Sequence, residues 1–209
     1  NDALDNAGEC LFCYIERRTE EHAMNFVLGH GASYMEADIR ELTDKAGFCR
    51  AHFKKMFDYG NSLGNAWILK THYRRIIDEM NKEFKNFKPG KPAKKGLFSK
   101  KQPKAEDAYP ARLKAKVDDC FICNRLRYHM DRYYTTFFHM IKEDEFRAKV
   151  ISSKGFCYRH FAEIMDIAPE KVPAKQTEWF YSAMKMVMEE QAIRVKQDLD
   201  WFIAKFDYR

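Results

Sequence analysis

No stretch of the 209 residues approaches the roughly 18 to 20 consecutive apolar side chains that a membrane-spanning helix needs, so a helical membrane protein is not expected. Glycine and proline are scarce, at nine and six residues, and strand-like alternation of apolar and polar side chains is weak throughout. Little therefore points to a sheet. The sequence also lacks a P-loop, a G-x-G-x-x-G turn, an H-E-x-x-H pair and the E-x-x-H pair of di-iron bundles, and no G-x-S-x-G nucleophile elbow is expected. None of those enzyme classes is recommended. A disordered polymer is excluded as well, because a chain that is 45% hydrophobic and 15% aromatic has the material for a packed core.

The formal net charge is +6, but it is not spread over the chain. From Lys88 to Lys116, ten cationic residues face only Glu106 and Asp107, which leaves the rest of the chain net negative. The same segment holds Pro89, Pro92, Pro103 and Pro110. A Lys- and Pro-rich stretch without a periodic apolar face reads as a linker. It divides the chain into a first helical repeat (1–87), a basic linker (88–116) and a second repeat with a long C-terminal helix (117–209). Nucleic acid is one possible partner for Lys88 to Lys116, held by salt-dependent contacts that read no sequence.

The flanking parts carry one pattern twice. The first has Cys10, Cys13, then Gly47-Phe48-Cys49 and His52-Phe53; the second has Cys120, Cys123, then Gly155-Phe156-Cys157 and His160-Phe161. This is C-x2-C, a long insert and G-F-C-x2-H-F, which indicates an internal duplication. All six cysteines belong to it. A two-residue gap lets two side chains reach one ion from a single helical turn, and two such half-sites close a tetrahedron. The expected pairing is within each copy: Cys10, Cys13, Cys49 and His52 on one ion, Cys120, Cys123, Cys157 and His160 on the other. Three thiolates and one imidazole leave no open position and suit two structural zinc ions, with two [4Fe-4S] clusters as the alternative. Disulfides would leave the repeated histidines unexplained. Gly47 and Gly155 are expected in left-handed turns, and Phe48, Phe53, Phe156 and Phe161 are expected to shield the sites. His22, His30, His72, His129 and His139 read as surface or core residues, and Glu163 as a surface charge.

Helical spacing supplies the rest of the fold. Leu69, Tyr73, Ile76, Met80, Phe84 and Phe87 predict one buried helix face, and Phe180, Met184, Val187, Leu199, Phe202 and Phe206 predict another near the C-terminus. Cys13 to Leu28 and Cys123 to Met140 suit helices, with Gly29 and Gly31 marking a break. The expectation is an all-α protein of two pseudo-equivalent halves, each stapled by a Cys3His site. Trp67, Trp179, Tyr133, Tyr134, Phe137 and Phe138 are candidates either for partner contacts or for the core.

The stretches SYMEADIRELTDKAGFCRAHF (Ser33 to Phe53), EFRAKVISSKGFCYRHF (Glu145 to Phe161) and DLDWFIAKFDYR (Asp198 to Arg209) resemble an uncharacterised bacterial family. It is a domain of unknown function whose members are sometimes labelled ABC transporter substrate-binding proteins. The likeness spans most of the chain except the linker, and its paired blocks carry over the six cysteines, His52 and His160. It implies a bacterial, cytoplasmic protein and supplies no activity. A substrate-binding protein of that kind would need two α/β lobes and an export signal. Taken together, the sequence points to a non-catalytic metal-binding scaffold, an adaptor for a protein or a small ligand. An iron-sulfur redox sensor or enzyme is the alternative.

Overall fold

The computed structural model describes residues 2–6, 8–31, 33–86 and 109–206. Among these residues there is no strand, and the all-α class holds. The helices are α1 (Asp2–Asn6), α2 (Leu11–Leu28), α3 (Ala37–Ala46), α4 (Arg50–Asp58), α5 (Ser62–Asn86), α6 (Tyr109–Asp118), α7 (Phe121–Met140), α8 (Asp144–Ile151), α9 (Tyr158–Lys171) and α10 (Thr177–Ala204). In α2–α5 and again in α7–α10, two shorter helices lie between two long ones. None is long and apolar enough to cross a membrane.

Two compact units result: residues 1–20 with 127–209, and residues 21–126. The chain leaves the first inside α2 and returns to it inside α7. In the first unit, Phe12 of α2 meets Tyr134 and Phe137 of α7, with ring centroids 4.3 and 5.5 Å apart. Phe146, Phe156, Ile164, Phe180 and Met184 complete that core. In the second unit, Ala23, Met24, Val27 and Leu28 pack with Phe48, Met56, Ile68, Phe121 and Ile122. The i, i+1, i+4, i+5 spacing on α2 places its four on one face. Both residues between the cysteines of each C-x2-C pair, Leu11 and Phe12 in one and Phe121 and Ile122 in the other, are buried. Each pair is thereby anchored in a core.

Three details of the sequence reading are corrected. On α5 the buried line is Gly64, Ile68 and His72, at four-residue steps. Tyr73, Met80 and Phe84 are exposed, because α5 turns inward the side that carries Ile68 and His72, where the His72 ring bonds Asp44 O of α3. Leu69 and Ile76 are half-buried, while Phe87 lies outside the described residues. On α10, Phe180, Met184 and Val187 are buried as expected, but Leu199, Phe202 and Phe206 are exposed. Finally, residues 88–108 of the expected linker lie outside the described residues, whereas 109–116 form most of α6. Arg112 and Lys116 of α6, four residues apart, pair with Glu83 and Glu79 of α5. That matched spacing turns the last part of the basic segment into a docked helix.

Candidate metal centres

Four helix N-termini carry the eight donors of the repeated pattern. Cys10 immediately precedes α2 and Cys13 lies in its first turn; Cys120 and Cys123 stand in the same way at α7. Cys49 and Cys157 are the N-caps of α4 and α9, with extended backbone and no side-chain cap bond, and His52 and His160 follow in the first turns. In all four segments the first cysteine's carbonyl accepts the amide of the residue four positions on: Tyr14, Phe53, Asn124 and Phe161. Sulfurs are thus held at the positive end of a helix, where a thiolate is favoured.

The donors gather into two groups, and the grouping crosses the copies. Cys10, Cys13, Cys157 and His160 form the first centre; Cys49, His52, Cys120 and Cys123 form the second. Each compact unit holds one group of three cysteines and a histidine, as expected, but the pairing within each copy is wrong. The reason lies in helix length. After Cys13, the 18-residue α2 carries the chain about 27 Å from its own start, and the 10-residue α3 recovers only about 15 Å of that. In the second copy α7 has 20 residues and α8 only 8. Each C-x2-H segment therefore comes to rest beside the other copy's C-x2-C.

Within each group all donor atoms lie within 4.8 Å of one another. In the first, Cys13 Sγ is 3.6 Å from Cys157 Sγ, and His160 Nδ1 is 3.5, 3.4 and 3.3 Å from the sulfurs of Cys10, Cys13 and Cys157. In the second, Cys49 Sγ is 3.9 Å from Cys123 Sγ, and His52 Nδ1 is 3.2, 3.3 and 3.4 Å from the sulfurs of Cys49, Cys120 and Cys123. A tetrahedron with bonds of about 2.3 Å to sulfur and 2.0 Å to nitrogen has edges of about 3.8 Å (S to S) and 3.5 Å (S to N). The observed edges match. All six cysteines are free thiols, so the disulfide alternative has no support.

Crowding splits the thiols. Burial pushes Cys13 up to about 12, with hydrogen bonding and charge at Cys157 and Cys10 adding to it. Burial and the charge of Cys120 push Cys123 up to about 12 as well. Cys120 is held down to about 6: burial opposes ionisation, but His52 and the backbone of Cys123 and Cys49 outweigh it. Cys157 is also lowered, since backbone bonds at the start of α9 outweigh its burial. His160 is lowered by burial and by Arg159, which keeps its ring neutral, as a metal-binding imidazole must be. A divalent cation would relieve the repulsion that keeps protons on Cys13 and Cys123.

Both glycines of the repeated pattern stand in left-handed turns, as expected. Gly47 and Gly155 have φ of 66° and 77°. Phe48 and Phe156 are buried, and Phe53 and Phe161 half-buried. Phe48 stacks edge-on against Phe53 at 5.7 Å, and Phe12 lies 5.8 Å from the His160 ring. At the second centre the two copies also share a backbone bond, Phe121 N–H to Gly47 O at 2.9 Å. The residue that sequence reasoning missed is Glu16. It pairs with Arg159 and stands 3.8 Å from His160 Nε2. The nearest group to Nε2 is the Arg159 guanidinium, 2.9 Å away, which can only donate, so Glu16 bears on the His160 ring through Arg159 rather than by accepting a ring proton. The available signal was position: Glu16 falls three residues after Cys13, on the same side of α2.

The other candidates sort as follows. Tyr134, Phe137 and Phe138 are core, Trp67 and Trp179 are half-buried, and Tyr133 is exposed. His22, His30, His72, His129 and His139 join neither group. Glu163 is no ordinary surface charge, because it accepts the hydroxyl of the buried Tyr134. The expectation that no G-x-S-x-G elbow is present is corrected at the level of spacing, since Gly60-Asn61-Ser62-Leu63-Gly64 has it. A nucleophile elbow needs a strand leading into the turn, and here helix α4 leads in. Asn61 serves as a cap instead, accepting Gly64 N–H at 2.9 Å and donating to Leu28 O at 2.8 Å.

The whole chain, residues 1–209, matches the model of DUF6062, a family of unknown function. The chain belongs to this family. No curated protein and no solved structure matches it. For this member of DUF6062, then, the two crossed groups of sulfur and nitrogen donors are the chemistry on which a function must be argued.

Proposed function

We propose that this DUF6062 protein is a non-catalytic helical scaffold held together by two structural zinc ions and serving as a binding adaptor. Cys10, Cys13, Cys157 and His160 would ligate one ion, and Cys49, His52, Cys120 and Cys123 the other. The observation that carries this reading is the tetrahedral spacing of three sulfurs and one nitrogen in each group. That spacing favours a single ion over a [4Fe-4S] cluster, whose four ligands bind four separate irons and must stand farther apart. Four protein donors fill a zinc ion's coordination, which is the mark of a structural site rather than a catalytic one. The pairing supports a stapling role, since each ion would tie two helix starts more than 140 or more than 65 positions apart along the chain. Structural zinc contributes on the order of 10 kcal/mol or more in small peptides, comparable with a domain's whole net stability of about 5–15 kcal/mol.

The test is elemental analysis with an absorption spectrum on protein purified without oxygen. Two zinc per chain and a colourless solution are expected. Stoichiometric iron with a brown chromophore, or a folded protein with no bound metal, would overturn the assignment.

A further inference from the structure

The first centre borders a cavity of about 660 Å³, within the usual range for a small-molecule site. One wall is the start of α2, a second the segment from Lys154 to Tyr158, and the third the stretch of α10 from Met188 to Leu199. All belong to the first compact unit. Its apolar surface comes from Tyr14, Phe156, Met188, Val195 and Leu199, and its cations are Arg17, Lys154, Arg194 and Lys196. Glu9 is the one carboxylate in the lining, and Lys154 and Arg194 already hold it. Asp198 and Asp200 pair with Arg194 and Lys196 but do not line the cavity. Arg17 lies over the Tyr14 ring at 5.7 Å, so its charge faces an aromatic surface rather than an acid. With these two aspartates, and with three thiolates and a zinc dication, net −1, counted in, the charges balance, and Arg17 is the lining cation that faces no acid.

We infer that this cavity binds a small organic anion with an apolar body, a medium-chain carboxylate being the simplest case. The hydrocarbon would cover Met188, Val195 and Leu199, and the carboxylate would meet Arg17. Apolar lining with a few convergent charges is the usual composition of such a site, and Arg matches a carboxylate with two parallel donors. The inference deepens the adaptor reading, because the ion at Cys10, Cys13 and Cys157 would hold two of the three walls together.

Isothermal titration of the zinc-loaded full chain with decanoate, with 1-decanol as the neutral probe, tests this. Saturable one-to-one binding of decanoate is expected, at least about tenfold tighter than decanol, since only the acid engages Arg17. Arg17→Glu and, separately, the double variant Val195→Glu/Leu199→Glu should each weaken it at least about tenfold; all three side chains are exposed, so the fold should persist. Ile77→Glu, in the other unit, should change nothing. No saturable binding, equal binding of decanol, or equal binding by the cavity variants would each overturn the inference. Zinc content measured on the same samples separates its failure from that of the metal assignment: two zinc per chain without decanoate binding refutes the cavity alone.

Discussion

Replacing Gly47 by alanine should harm the protein far more than the same change at Gly155, although both glycines occupy the same place in the repeated pattern. Both have positive φ, where any residue with a Cβ loses roughly 1–2 kcal/mol. Their surroundings differ. A Cβ at position 47 would stand 2.6 Å from Cε1 and 2.9 Å from Nε2 of His72, a buried ring that bonds through Nδ1 to Asp44 O at 3.0 Å. The ring must move, which adds about 1–3 kcal/mol for overpacking and about 0.5–1.5 kcal/mol for the strained hydrogen bond. At position 155 the nearest atoms are Val187 Cγ1 at 3.2 Å and Gln191 Cγ at 3.3 Å, side-chain atoms that yield with a small shift. The totals are about 3–6 kcal/mol for Gly47→Ala and about 1–3 kcal/mol for Gly155→Ala. In urea unfolding of zinc-loaded protein, followed by circular dichroism, Gly47→Ala should lower the midpoint of its transition by about 1–3 M and Gly155→Ala by markedly less. Equal midpoints for the two variants would refute the packing of His72 against Gly47.

Zinc binding at pH 7 should release at least one proton from each centre, because Cys13 and Cys123, both pushed up to about 12, keep their protons until the ion arrives. Lowering the pH must then weaken binding, and at the second centre the loss steepens below about pH 6, where Cys120 is protonated too. Titration of zinc into weakly buffered apo protein with a pH indicator reads the protons, and affinity independent of pH would contradict the thiolate assignment. Tyr134→Phe removes the hydroxyl that Glu163 accepts and leaves a half-buried carboxylate short of a donor, for about 1–3 kcal/mol. The variant should melt earlier yet keep both zinc ions; an unchanged melting curve would return Glu163 to the status of a surface charge.

The donor residues were legible because C-x2-C and C-x2-H demand one geometry whatever surrounds them, and the helical class because apolar spacing of three and four recurs. Which donors meet was not legible. Proximity along the chain favoured Cys13 with Cys49, while the length of α2 carries them apart, and that length becomes decisive only once helices are drawn as rigid rods. The buried face of α5 was misread for a related reason: Tyr73, Met80 and Phe84 are large and regularly spaced, but α5 buries its Ile68 and His72 side, where the His72 ring bonds Asp44 O of α3. Arg112 and Lys116 looked like linker charge until Glu79 and Glu83 stood opposite. Glu16 carries no motif, and only its pairing with Arg159, which lies against the His160 ring, gives it meaning.

Counting zinc in two double variants tests the crossed pairing most directly. Cys13→Ser/Cys157→Ser draws on both copies but on one centre, and should retain one zinc per chain. Cys13→Ser/Cys49→Ser stays within one copy but strikes both centres, and should retain none. The reverse result, no zinc in the first variant and one in the second, would show that each copy keeps its own ion and would contradict the account.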